Sequence, residues 1–213
     1  MLCSCFCSFH DADSILLELL EVAIHQVLYQ KSIYPETIFV LKKKYGAPVH
    51  VSRYPPLNSY INDSLMAIKD LLLRKQLKSV HVCFFNKDYS KLLERLVFNV
   101  QNVYSELNPE KADQMSDPYL TKLQESIRAV CLRLTTISAH TKPLGEEAAF
   151  QIQIETTESA AAALVDDPDH DHFPWTEIED GKLSQDPTSV ELLPIRNIKS
   201  DLFEVEMFYQ KME

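Results

Sequence analysis

The order of periodicities along the chain predicts an α+β fold: three helices packed on an antiparallel sheet, with a long strap near the C-terminus whose far end returns as strands. Three observations predict it. Apolar residues recur at helical spacing in three separate stretches. Residues 79–85 and 92–100 read as the two arms of a hairpin, and 148–157 alternates apolar with polar side chains. Helical and strand patterns do not alternate regularly, which argues against a parallel α/β sheet.

The first helix is expected over 12–32, where Ile15, Leu16, Leu19, Leu20, Ala23, Val27 and Leu28 form a wide apolar stripe. His25 lies inside it and reads as a packed histidine rather than a catalytic one. Pro35 ends the helix. Residues 37–53 start apolar, turn basic at Lys42, Lys43 and Lys44, and turn again at Gly46. Three charges are too few for a nucleic-acid face, so the triplet reads as a solvated strand end or loop. A second helix spans 55–76 with Asn58 as its expected N-cap and Leu65, Ile68, Leu72 and Leu73 inside. The hairpin follows, turning through "NKDYSK". Residues 101–118 are a polar connector holding Pro109 and Pro118. The third helix, 119–138, places Leu120, Leu123, Ile127, Val130, Leu134 and Ile137 in one stripe. In 148–157, Phe150, Ile152 and Ile154 alternate with Gln151, Gln153 and Glu155, as in a sheet with one dry and one wet face.

After residue 158 the character changes. About thirty residues are rich in acids and prolines and contain no long helical pattern. A connection of that length in a compact domain is usually functional or disordered. Strand patterns then resume at 190–198 and 201–210.

Composition excludes several function classes. The 213 residues suit one domain, 46% hydrophobic, with a formal net charge of −10 that disfavours direct nucleic-acid binding. No apolar run reaches membrane-span length. Only three glycines occur, so phosphate-cradling glycine loops are absent, as are G-x-S-x-G and H-E-x-x-H. Of five cysteines, Cys83 and Cys131 read as small buried hydrophobes. Cys3, Cys5 and Cys7 lack a second ligand pair at zinc-finger distance, so no metal is expected there. An odd cysteine count and the lack of a secretory signal pattern favour a reducing compartment. In the strap, Asp167, Asp169, His170, Asp171 and His172 raise the rival reading of a metal-dependent enzyme using His170 and His172. Their spacing matches no closed tetrahedral signature, and Pro168 and Pro174 discourage a regular ligand scaffold.

Five stretches, in order, carry a resemblance to a known family: "LELLEVAIHQVLYQKSIYPETIF", "KKKYGAPVHVS", "PPLNSYINDSL", "FPW" and "LLPIRNIKSDLFEVEMFY". Over about residues 12–210 the chain resembles the HORMA domain. It is most similar to the branch forming the non-catalytic accessory subunit of translesion DNA polymerase zeta, which also serves in shieldin. The resemblance implies a division into a divergent N-terminal segment (1–11), a HORMA core (12–157), and a safety belt with its returning strands (158–213). It implies a belt that clamps an extended, proline-containing peptide beside the sheet, with no catalysis, cofactor or metal. Trp175 and Tyr60 resemble the family's peptide-contacting aromatics, and Tyr34 is expected in the same region. Leu192, Glu206 and Phe208 fall where the family docks the C-terminal domain of a translesion scaffold polymerase. The family pattern has Gln where Glu206 stands and Tyr where Phe208 stands. Arg128 aligns with an arginine of HORMA–HORMA dimerisation. The implied partners are the catalytic subunit of polymerase zeta, the scaffold polymerase and a shieldin-type protein. The implied location is the nucleus, with cytoplasm and spindle as further sites. A spindle-checkpoint or meiotic-axis adaptor is the alternative within the family.

Overall fold

The computed structural model describes residues 12–103, 117–166, 173–178, 190–200 and 202–212. Helix α1 (Ala12–Gln30) is the central element, with Leu16, Leu19, Leu20, Ala23, Ile24, Val27 and Leu28 fully buried. It stops at Ser32, whose φ of 54° is left-handed. The Ile33 N–H returns to the Leu28 carbonyl and the Ser32 N–H to that of Tyr29, a Schellman closure made without glycine. A two-stranded ribbon follows, β1 (Phe39–Lys44) and β2 (Ala47–Ser52), turning through Tyr45 and Gly46 at φ of 50° and 76°. Two left-handed residues in a two-residue turn match the twist of the flanking strands. The basic triplet therefore lies in a strand, with Lys42 and Lys43 exposed.

Helix α2 (Pro55–Leu73) begins before Asn58, the expected cap. Pro55 and Pro56 occupy the first turn, where a missing N–H costs nothing, so Asn58 is helical. Its side-chain amide instead donates to the Ser52 carbonyl at 3.1 Å, tying the helix start to β2. The rest is β3 (Leu77–Asn86), β4 (Leu92–Val103), α3 (Asp117–Thr135), β5 (Ala148–Thr156), α4 (Glu158–Asp166), β6 (Val190–Lys199) and β7 (Phe203–Met212). The helix α4 has no counterpart in the sequence reading, because nine residues are too few to show a clear stripe.

The main sheet runs β5–β3–β4–β7–β6, every pair antiparallel. One face carries Val80, Val82, Phe84, Leu96, Phe98, Ile152, Val205, Met207 and Tyr209 into a single buried cluster with the apolar stripes of the helices. On the other face Ser79, His81, Cys83, Gln153 and Glu155 hydrogen-bond among themselves, and Arg95 bonds Gln210. Cys83 and Cys131 are buried free thiols, and burial raises the Cys83 thiol to about 12, which makes it inert at neutral pH.

The strand order makes the strap a crossover. The chain leaves the sheet at β5, one edge, and returns as β6 and β7 at the opposite side. At about 4.8 Å per strand spacing, four spacings put β5 and β6 roughly 19 Å apart.

Candidate partner-binding site

Strand β5 pairs with β3 on one side, and among the described residues no strand pairs with its other side. Its backbone shows which groups face outward. The Ile152 N–H donates to the Tyr60 hydroxyl at 3.1 Å, away from β3. In an antiparallel ladder alternate residues point their N–H and C=O the same way. Phe150 and Ile154, two residues to either side in unbroken register, therefore also present backbone donors and acceptors outward.

Aromatic side chains line this edge. Tyr60, on α2, stands edge-on to Phe150 with ring centroids 5.7 Å apart. Tyr34 meets Phe150 at 6.2 Å, also edge-on. From the strap, Phe173 approaches Tyr60 at 6.0 Å and Trp175 at 4.6 Å. The Trp175 N–H closes back on the Phe173 carbonyl at 2.9 Å, a tight turn about Pro174. The sequence-derived trio of Tyr34, Tyr60 and Trp175 thus meets in one place, joined by Phe150 and Phe173. Burial raises the pKa of both Tyr34 and Tyr60, so each keeps its proton at neutral pH. The buried Trp175 indole nitrogen has no hydrogen-bond partner among the described residues. An N–H left unpaired in a partly dry site attracts an acceptor.

A second group lies on the C-terminal hairpin. Leu192 is 52% exposed on β6. Phe208 pairs with Pro194, Glu206 with Asn197, and Leu192 with Gln210, which puts Leu192, Glu206 and Phe208 on the same outer face. A bulge at Ile195 and Pro194 itself interrupt the β6 edge, a pattern that blunts further strand pairing there.

Arg128 is exposed on α3, its guanidinium stem lying over Gly46, where an added Cβ would sit 3.7 Å from Arg128 Cδ. The turn it rests on is anchored to α1, since Tyr45 donates to Glu18 Oε2 at 2.5 Å and Lys44 to Oε1 at 2.7 Å. Burial pushes the Glu18 pKa up, but its bonds to Lys44 and Tyr45 outweigh that and leave it lowered. Leu132, one helical turn on, is also exposed.

The Asp167–His172 cluster and Cys3, Cys5 and Cys7 lie outside the described residues. Among the described residues no group of three or more His, Cys, Asp or Glu could hold a metal ion.

A sequence model of the HORMA domain matches residues 14–175. The chain belongs to the HORMA family. Its relatives include a zebrafish and a human protein, each named mitotic spindle assembly checkpoint protein MAD2B, each 28% identical over 92% of this chain and 89% of their own. Another is the Drosophila melanogaster DNA polymerase zeta subunit 2, 25% identical over 86% of this chain and 89% of its own. Among solved structures, a chain of the mitotic checkpoint complex superposes with a TM-score of 0.72 at 18% identity, covering 95% of this chain and 99% of that one. Caenorhabditis elegans HTP-2, solved with an HTP-3 closure motif bound, superposes at 0.69 and 14% identity, covering 95% and 87%. The fold is the HORMA fold, and the protein is a non-catalytic adaptor of that family.

Within this HORMA domain, sequence reasoning missed Phe150 and Phe173 as candidate site residues. Phe150 reads as an ordinary inward position of an alternating strand. Only the strand order shows that it sits at an edge with no strand paired beside it among the described residues. Phe173 was visible in the same three-residue run as Trp175.

Proposed function

We propose that this HORMA protein captures an extended, proline-containing segment of a partner between the outer edge of β5 and the strap, residues 158–213 acting as its safety belt. The observation that supports this most is the open β5 edge bordered by Tyr34, Tyr60, Phe150, Phe173 and Trp175. An incoming strand would pair with the outward groups of Phe150 and Ile154, while aromatic faces take prolines and aliphatic side chains. The Trp175 indole N–H would meet a backbone carbonyl of the incoming segment. A strap crossing from one edge of the sheet to the other must open for release, which slows dissociation more than the contacts alone would.

The Drosophila relative's name, DNA polymerase zeta subunit 2, supports a polymerase setting, and in this reading the partner is the polymerase zeta catalytic subunit, with a shieldin-type protein as a second client in the nucleus. Leu192, Glu206 and Phe208 form the docking face for a translesion scaffold polymerase, so that one adaptor bridges two polymerases. Arg128 sits in a HORMA–HORMA contact. A spindle-checkpoint role is the second reading, favoured by the checkpoint names of the vertebrate relatives.

The test is calorimetric titration of the full chain with a proline-containing peptide from the polymerase zeta catalytic subunit. A 1:1 complex with strand-like protection of the β5 amides is expected. Absence of binding, or binding that leaves β5 unprotected, overturns the reading. Recovery of checkpoint rather than polymerase partners on purification from cells would favour the second one.

A further inference from the structure

Of the buried side chains on the inner face of β7, Phe203, Val205 and Met207 are apolar, and only Tyr209 carries a polar atom inward. Its hydroxyl donates to Glu94 Oε2 on β4 at 2.6 Å. The same carboxylate pairs with the ammonium of Lys31, the residue that follows α1. The Lys31 side chain is 0% exposed and that of Glu94 6%. The ammonium also lies 5.4 Å from the centroid of the Tyr209 ring and donates to the Lys142 carbonyl at 2.8 Å. A buried ion pair carries a large desolvation cost and is tolerated only where further hydrogen bonds complete its shell. Here that shell is built from three separate parts of the chain: the end of α1, the loop entering β5, and the C-terminal strand.

The apolar contacts of β7 cannot by themselves fix its register. A slide of two residues along β4 would keep the same side chains on the inner face. It would also move Tyr209 off Glu94 and leave the carboxylate with one donor fewer in a dry interior. We propose that the Lys31–Glu94–Tyr209 cluster is the latch that seats the C-terminal hairpin, β6 with β7, on β4 in its single register. Lys31 also joins that seat to the other edge of the sheet. Its own carbonyl accepts the Leu144 N–H at 2.9 Å and the Gly145 N–H at 3.2 Å, in the loop that leads into β5. Hairpin docking and the strand that borders the candidate groove therefore share one residue.

Hydrogen exchange on the full chain without any partner tests this. In Tyr209→Phe the ring and its packing remain and only the hydroxyl is lost. Amides of β6 and β7 are expected to exchange about tenfold faster or more, with those between β3 and β5 unchanged. Glu94→Gln, which also leaves the buried Lys31 ammonium without its carboxylate, should accelerate the same amides further, and the loss of the Tyr209 hydroxyl should cost less in that background than alone, because its charged acceptor is already gone. Unchanged exchange in the hairpin of Tyr209→Phe overturns the latch, and so does equal acceleration in every strand. The measurement needs no peptide, so its failure leaves partner capture standing, and failure of capture leaves the latch standing.

Discussion

Two individual side chains give direct tests. Trp175 is part-buried on the strap, touching Phe173 and packed against the edge of the core. Anchors of this kind often dominate an interface. Trp175→Ala should weaken the proposed capture of a proline-containing peptide by about 2 kcal/mol or more, roughly thirtyfold in Kd, with little change in the thermal midpoint. Equal affinity by calorimetry would remove Trp175 from the site. Lys75 ends α2 with a φ of 56°, its N–H bonded to the Leu72 carbonyl and the next N–H to that of Leu71. A left-handed non-glycine residue costs about 1–2 kcal/mol, part of which glycine's extra unfolded-state freedom would offset. Lys75→Gly should therefore stabilise the fold by roughly 0.5–1 kcal/mol, read from the denaturation midpoint at constant m.

Strand parity makes the next prediction. Gln153 and Ile154 are neighbours on β5, but only the Ile154 N–H faces the open edge. Proline at 154 removes an outward donor, and proline at 153 removes a donor to β3. Ile154→Pro should fold and lose peptide capture, whereas Gln153→Pro should lose several degrees of thermal midpoint or fail to fold. If both fold and both bind, the partner does not pair along β5. On the hairpin, Glu206 and Phe208 share the outer face with exposed Leu192. Compared with the Gln and Tyr that the resemblance implies at these positions, this face carries one more negative charge and one hydroxyl fewer. On the proposed docking role of this face, the pair Glu206→Gln with Phe208→Tyr should raise affinity for the scaffold polymerase domain severalfold, measured as a ratio to wild type at fixed salt. A decrease would show that this surface is tuned to a different, cationic contact.

Acting as one body, the domain has a pH response set by buried histidines. His25 lies under β2, accepting the Ser52 N–H, and burial first and the Lys42 charge second lower its pKa to about 4. His81 is lowered to about 4 by burial, aided by Arg95 and opposed by Glu155. The unfolded histidine titrates near 6.5, so between about 6.5 and 4 the unfolded chain binds protons that the folded chain refuses. Unfolding free energy should be level above about pH 6.5 and fall as pH drops toward 4. The lowered Glu18 adds to the loss in the same direction at the acid end. Urea midpoints across this range check it, and a midpoint that rises on acidification would contradict the buried neutral histidines. Truncation after residue 157 has a different consequence. It strips β7 and its buried Phe203, Val205, Met207 and Tyr209 from β4, leaving an apolar central strand as an open edge. Such a fragment should aggregate rather than persist as an open form.

The amino-acid pattern alone determined the three long helices, the hairpin, the alternating strand and the position of the strap, because each is a local repeat of 3.6 or 2 residues. Its likeness to the HORMA pattern also named Tyr60 and Trp175 as candidate partner contacts. It gave no sign of the left-handed closures at Ser32 and Lys75, where tertiary packing holds residues that glycine usually supplies. Periodicity says which face of a strand is dry and nothing about which strand lies beside it. That β5 has an edge no other strand pairs with among the described residues, that Phe150 lines it, and that Tyr209 finds Glu94 across 115 residues of chain were decided by the folded structure. Pairings between distant segments depend on the shape of the assembled core, and no local window of sequence contains it.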